Sequence, residues 1–571
     1  MIALNTSKRT FLPQTLDISQ WQNLKPYYDK LENETIKNKE DLKAWLKHCD
    51  ELGDAVGEYM TRLGINTTTK TNDEDTAKAY EKFVTLLQPG ILAYENKFKL
   101  KLTDSPFFEE IDEEDFFPAF RKIKSDLETY NAENDTLLGE EAILQNKYTQ
   151  IIGTQTFNYE GKQLPLDRMS VLLEDRDRTK REQIFQIASE VLLQDSEKLD
   201  DLLSKLIAIR HKIAKNAGFD NYNSYKFAEW GRFDYSIEEC RQMYSSIADI
   251  VVPMEIQIKE ERKRLLQLDV LRPWDSQVPL TDRPPLKPSE NTEELLNKTI
   301  QCFSHIDEYF GTGLARMKET GNFDLDPRIN KMKGAAYTTY LPETKVPFIL
   351  HNNNNTASDL NTLIHEGGHA IHSMLCADME YSFFRDVPLE IAEVASKAME
   401  LISMEFWGIF YLNPEDLNQA KKTKLKEIIK VLPLYAMAET FQLWMYENPT
   451  HSTEERHNKW TENHRQYTGG IIDYSGYENI FSSGFQKNMA IYTLPLYMAA
   501  YCFSDFGAIA LWRNYKIDPV IALEQYKTAL SLGNTRTVPE LYKAAGIEFN
   551  SSPAYIKELM DFLNQQIAEL E

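Results

Sequence analysis

The sequence predicts a mainly α-helical protein with a small β-sheet. Three observations lead to that class. Apolar residues recur at helical spacing over long stretches, as in 196–216, 414–432 and 554–570. Stretches that read as strands are few. Two histidines, His365 and His369, stand four residues apart inside one of the helical stripes.

Along the chain, residues 1–150 read as helical. A hairpin is expected around 157–164. Helix 196–216 follows. No Gly/Ser linker, repeat or long low-complexity tract divides the 571 residues, and the proline-dense run 273–288 is the best linker candidate. Residues 333–341 and 346–350 read as two short strands joined by the turn 342–345. Four asparagines, Asn352 to Asn355, mark a further turn. Thr356, Ser358 and Asp359 then supply capping oxygens for a helix whose stripe is Leu360, Leu363, Ile364, Ile371, Met374 and Leu375. A second helix, 388–401, starts at a proline. Residues 492–503 are the most apolar stretch. They are too short to span a membrane and contain Pro495, so they read as a buried segment near the functional site.

The histidine pair carries chemistry. On a helix, His365 and His369 lie one turn apart on one face, where their imidazoles can share a zinc ion. Glu366, between them, is placed to take a proton from a zinc-activated water. Gly367 and Gly368 each cost a helix interior about 1 kcal/mol relative to alanine. Their presence points to a second helix packed closely here and delivering a third ligand. Helix 388–401 offers Glu390, Glu393 and Glu400 at spacings that put them on one face, where they repel unless a cation or a basic partner sits there. Two histidines and one glutamate leave the fourth zinc position open for water. His372 and Cys376 continue the stripe. His372 lies roughly 10 Å beyond His365 and reads as structural or supporting, Cys376 as a small buried apolar residue.

These segments resemble the thimet oligopeptidase and oligoendopeptidase F family of zinc metallopeptidases. The resemblance rests on His365-Glu366-Gly367-Gly368-His369-Ala370-Ile371-His372 and on Ala392-Glu393-Val394-Ala395-Ser396-Lys397-Ala398-Met399-Glu400. Further matches are 210–227, 271–275, 333–341 and 346–350. The resemblance implies a zincin-type helical metallopeptidase with two lobes around a deep channel and a small sheet beside the zinc helix. It assigns the third ligand to Glu393, giving one Zn2+ held by His365, His369 and Glu393. It implies an N-terminal helical lobe over 1–150, a catalytic region over 151–571, and short unfolded peptides as substrates, paired through the main chain to a strand edge.

The family also implies oxyanion-stabilising side chains from a C-terminal segment, which matches 486–501 here. Aligned on Pro495, the family histidine falls on Ala490 or Leu496, and one tyrosine on Met498. Tyr501 matches a family tyrosine, and Tyr497, one helical turn away, is the second candidate donor. Two expectations follow. One is a zinc endopeptidase with Glu366 as base and Tyr501 and Tyr497 as oxyanion donors. The other is a peptide-binding zinc protein with little turnover, because the family histidine is absent.

The net charge of −24, from 64 basic and 88 acidic residues, argues against nucleic acid and anionic membranes as partners. Five scattered cysteines without a CxxC pair suit a reducing compartment. Residues 1–20 lack a basic region followed by an apolar core, and a cytoplasmic location is expected.

Overall fold

Among the described residues strands occupy only five short stretches, so helices supply the core. In a computed structural model, which describes residues 9–111, 115–166, 168–280, 283–334 and 336–570, the fold is 68% helix and 4% strand. Strands β1 (Thr156–Tyr159) and β2 (Lys162–Pro165) form the expected hairpin. Glu160 and Gly161 at its tip both adopt positive φ. A second sheet has the order β3-β5-β4, from β3 (Phe323–Asp324), β4 (Tyr337–Leu341) and β5 (Val346–Leu350). β4 and β5 are antiparallel, with Thr338 opposite Ile349. β5 is buried throughout. β4 lies at the edge, and its outer side pairs with no strand among the described residues.

Several boundaries differ from those read in the sequence. The strand expected from residue 333 starts at Tyr337, because the chain turns at Gly334, with φ of 69°. Ala335 lies outside the described residues. β3 pairs in parallel with β5 and is only two residues long, too short to carry a periodic signal. The helix read as 414–432 continues to Glu447 through Pro433. A proline normally stops a helix. Here the turns beyond it bury Ala436, Phe441, Leu443, Met445 and Tyr446, and that burial outweighs the lost backbone bond. Helix Ser196–Asn216 matches its sequence limits, and the C-terminal helix runs Pro553–Ala568.

Two large apolar cores form. One gathers residues from Leu12 to Phe120 with Tyr381 and Phe384; the other gathers residues from Leu137 to Ile567. The first is tied to the sheet by polar contacts. Arg9 donates to both oxygens of Glu343 at 2.7 and 2.8 Å. Glu58, on helix Lys39–Thr69, accepts from the backbone N–H groups of Glu343 and Thr344 at 2.8 and 2.9 Å. Thr68 and the Tyr337 hydroxyl are 2.6 Å apart. The helix thus runs beside β4. Among the described residues, no helix is long and apolar enough to cross a membrane.

The histidine helix is Ala357–Leu375 and the glutamate helix Leu389–Ile402. They pack face to face because Gly368 has no Cβ. One placed there would stand 2.6 Å from Ser396 Cα and 2.8 Å from the Ala395 carbonyl oxygen. Both are backbone atoms, so Gly368→Ala should overpack the contact and cost about 1–3 kcal/mol. Gly53 is exposed on helix Lys39–Thr69 with nothing within 4 Å of an added Cβ. Gly53→Ala should therefore stabilise by about 0.5–1 kcal/mol. Thermal unfolding of the two variants should give shifts of opposite sign.

Candidate metal centre

The histidine helix begins where the sequence places its cap. Thr356 and Asp359 form a reciprocal capping box. The other oxygen of Asp359 lies 3.0 Å from His351 Nε2. Asn355 supports the turn before the cap in a left-handed conformation, with φ of 60°.

Four residues of helix bring His365 and His369 side by side. Their Nε2 atoms are 3.2 Å apart. Glu393 completes the group: Oε2 lies 3.6 Å from His365 Nε2 and Oε1 lies 3.8 Å from His369 Nε2. All three donor atoms fall within 4.8 Å of one another. Tetrahedral ligands at 2.0–2.1 Å from a zinc ion stand about 3.3 Å apart, so this spacing is close to what one ion requires. Glu393 Oε2 is buried and accepts no hydrogen bond. Two facing imidazole nitrogens and an unsatisfied carboxylate oxygen suit a shared cation. Burial raises the Glu393 carboxyl above its ordinary value, although His365 and Lys397 oppose this. Burial and the neighbouring His365 hold the His369 imidazole well below its ordinary value, in the neutral form that binds metals.

The three glutamates of the second helix part company. Glu393 meets the histidines. Glu400 accepts from His365 Nδ1 at 2.6 Å and pairs with Lys424 on its other oxygen. Burial pushes Glu400 up, but Lys424 and His365 outweigh it and hold the carboxyl at about 2. A carboxylate on Nδ1 fixes the imidazole so that Nε2 faces the metal position. Glu390 accepts from the Tyr235 hydroxyl at 2.5 Å, with Arg232 at 3.9 Å. The repulsion expected of one acidic face is relieved because two of the three carboxylates have basic partners.

Glu366 is held by β4. The Thr338 hydroxyl stands 2.7 Å from its Oε2 and 2.9 Å from its backbone oxygen. Burial raises the Glu366 carboxyl, while His365 and Thr338 lower it. His372 is buried, and burial holds its imidazole at about 4. Cys376 is buried with its Sγ 3.1 Å from the Leu530 carbonyl oxygen, as a small core residue.

Tyr501 and Tyr497 lie side by side. Their rings meet edge to face at 5.3 Å. Tyr501 also packs on Tyr435 at 5.3 Å, and Lys397 Nζ sits 4.7 Å from its ring centre. It lines a cavity of about 250 Å3 together with His365, Glu400 and Tyr435. Burial and the charge of Glu393 push the Tyr501 phenol up, so it stays a donor. Tyr497 does not share a helix with Tyr501, contrary to the expectation from their spacing. The helix begins at Ala499, so Tyr497 is not on it. It follows a turn in which Leu496 adopts φ of 59°. That turn is fixed from below: Gln442 accepts from the Leu496 N–H and Glu439 from the Met498 N–H, both at 3.0 Å. Ala490 and Leu496, the two positions aligned with the family histidine, are both buried.

Sequence reasoning missed Thr338, Lys424, Gln442 and Glu439. It also gave no role to Arg210, which is fully buried and donates to Glu141, the Tyr446 hydroxyl and the carbonyls of Ile491 and Tyr492. A charged residue at an apolar-stripe position was the available signal for Arg210 and Glu439; the others carry none.

Residues 171–561 match Peptidase family M3 and residues 11–130 match the Peptidase M3 N-terminal domain. The chromosomal oligoendopeptidase F of Lactococcus lactis subsp. cremoris is 30% identical over 146 residues, 26% of this chain and 23% of that protein, so this match spans about a quarter of the relative's length. An oligoendopeptidase F homolog of Mycoplasma pneumoniae is 24% identical over 423 residues, 70% of this chain and 67% of the relative. The solved structure of PZ peptidase A with inhibitor 2 shares the fold, with a TM-score of 0.88 at 22% identity over 98% of this chain and 99% of the other. With well over half of its length matched, this chain belongs to Peptidase family M3.

Proposed function

We propose that the protein is a zinc-dependent endopeptidase that hydrolyses short unfolded peptides. The observation that carries this reading is the grouping of His365, His369 and Glu393 within 4.8 Å, with Glu366 beside them on the same helix. Two histidines and one carboxylate are a hydrolytic zinc set, with one position left for water or substrate. Bound there, zinc would supply Lewis-acid polarisation of the scissile carbonyl and a more acidic water. Glu366, oriented by Thr338, takes the proton of the attacking water and passes it to the leaving amine. Tyr501, with Tyr497 against it, donates to the oxyanion as charge develops.

The free edge of β4 beside Glu366 supports main-chain pairing of an extended peptide, which holds substrates regardless of most side chains. The separate core of residues 12–120 supports a lobe in the N-terminal region that borders the site; within the 1–150 range proposed for it, Leu137 and Tyr148 pack in the core of the 151–571 catalytic region. A lobe facing the site excludes folded proteins by size. The five unpaired cysteines suit the cytoplasm, where we place the protein.

Incubation with a mixed peptide library should show cleavage that a chelator abolishes and zinc restores, with a stably folded protein left intact. Binding without cleavage would instead favour a peptide-binding zinc protein, the reading suggested by Ala490 and Leu496 in place of a histidine.

Metal analysis should give one zinc per chain, lost in the His365→Ala, His369→Ala double variant. Glu393→Gln should weaken zinc retention more than Glu390→Gln, which removes only the partner of Tyr235 and Arg232. The reverse order would assign the ligand to Glu390.

Tyr501→Phe removes one donor and leaves the ring. Turnover should fall about 100- to 1,000-fold with little change in the Michaelis constant, the pattern of a contact made in the transition state. Unchanged turnover in a folded variant would leave Tyr501 as packing against Tyr435 and Lys397.

A further inference from the structure

Tyr501 stands in the first turn of helix Ala499–Ile517, close after the turn at Leu496. No histidine follows His464 in the chain, so no imidazole of this segment steadies the phenol. A donor to an oxyanion must nevertheless be in place before the charge develops.

A lysine from the glutamate helix supplies the support. Lys397 follows Glu393 by one turn on helix Leu389–Ile402. Its ammonium reaches helix Ala499–Ile517 at two points that are themselves one turn apart. Nζ donates to the Tyr501 carbonyl oxygen at 3.3 Å and lies 2.8 Å from Asp505 Oδ2. Nζ also sits 4.7 Å from the centre of the Tyr501 ring and 5.4 Å from that of Tyr435. The Tyr501 ring therefore has three neighbours: Lys397, Tyr435 at 5.3 Å and Tyr497 edge-on at 5.3 Å. Of the three, Lys397 also bonds the Tyr501 main chain.

An ammonium has three donors and no preferred plane, so a lysine is held only as well as its partners hold it. Here the partners are buried. The Lys397 side chain is 11% exposed and that of Asp505 is 8% exposed. Lys397, Asp505, Tyr435 and Tyr501 line one cavity with His365, which places the assembly beside the proposed metal position. Lys397 thus joins two helices, one carrying the proposed ligand Glu393 and the other the proposed donor Tyr501.

We propose that Lys397, anchored by Asp505, is a positioning residue for Tyr501, tying the phenol donor to the helix of Glu393 so that donor and metal ligand keep one geometry. The proposal rests on the reading of Tyr501 as an oxyanion donor and adds how that donor is held where the family histidine is absent. Lys397 acts through Tyr501. A misplacement of about 1 Å in such a group can cost about 100-fold in rate.

The test uses the full-length zinc-loaded protein. Lys397→Met removes the ammonium and keeps most of the stem. kcat should fall about 10- to 100-fold, with KM and zinc content close to the parent's. In the Tyr501→Phe protein the same substitution should cost less than about threefold, because the donor it positions is already gone. Lys397→Arg, which keeps a charged donor for Asp505, should recover most of the lost turnover. Lys397→Met leaves the Asp505 carboxylate buried without its partner. The Lys397→Met, Asp505→Asn protein removes both charges and carries the test should the single variant not fold.

A phosphinic peptide, whose anionic tetrahedral oxygen stands where the oxyanion forms, gives a readout without turnover. Its binding should weaken about tenfold or more in Lys397→Met and in Tyr501→Phe, and no further when the two are combined. Parental turnover and parental phosphinic-peptide binding in Lys397→Met, or equal losses with and without the Tyr501 hydroxyl, overturn the positioning role and leave the peptidase reading standing. A fall in turnover explained by lost zinc or a raised KM overturns it as well. Should the parent protein cleave no peptide, coupled losses in phosphinic-peptide binding uphold the positioning role and overturn the peptidase reading. Parental turnover and phosphinic-peptide binding in Tyr501→Phe overturn the donor and the residue positioning it together. Neither cleavage nor phosphinic-peptide binding by the parent protein overturns both readings.

Discussion

The close approach of the histidine helix to the glutamate helix governs the geometry of the site. Gly368 lies against the backbone of Ala395 and Ser396, where no Cβ fits. Glu393 precedes Ser396 by nearly one turn, so this contact sets its carboxylate opposite His365 and His369. The neighbouring Gly367 faces the Phe303 ring in the same way. Two glycines inside a helix cost roughly 2 kcal/mol in propensity. Burial of Leu360, Leu363, Ile364 and Ile371 on one helix and Ile391, Val394, Ala398 and Met399 on the other offsets that several-fold. The Tyr526 hydroxyl, donating to the Ala395 carbonyl at 2.7 Å, ties the same stretch to a third helix.

Around this contact the buried charges come in sets. Lys424, Glu400 and His365 form one chain; Lys397 and Asp505, 2.8 Å apart, form a pair beside Tyr501; Arg232, Tyr235 and Glu390 form a third group. Buried ions are poor contributors to net stability, yet removing one partner leaves an uncompensated charge. Such sets tolerate few alternative arrangements. They fix the rings and carboxylates that a hydrolytic site needs in place before substrate arrives.

The wall carrying Tyr497 and Tyr501 is held from further away. Arg210 binds the carbonyls of Ile491 and Tyr492, while Gln442 and Glu439 capture the next free N–H groups. Burial pushes the Glu439 carboxyl up to about 7, against the pull of Arg232. These contacts hold Leu496 in its left-handed conformation, which costs a non-glycine residue about 1–3 kcal/mol.

The sequence by itself determined the helical class, the histidine helix with its cap, and the adjacency of His365, Glu366 and His369. All of these are local: a helix places residues three and four apart on one face whatever surrounds it. The glycine pair even announced the second helix, since a cost inside a helix needs a close neighbour to justify it. Tertiary structure decided what local periodicity cannot reach. Glu390, Glu393 and Glu400 share one spacing pattern, and only packing against Tyr235, the histidines and Lys424 separates them. Thr338 reaches Glu366 from a strand 28 residues earlier, and Arg210 reaches Tyr492 from 282 residues away. Tyr497 left the helix expected for it because the turn at Leu496 is shaped by Gln442 and Glu439, not by its own neighbours in sequence. Contacts across such separations depend on how whole helices pack, and that is set by the shape of the core, which no short stretch of sequence encodes.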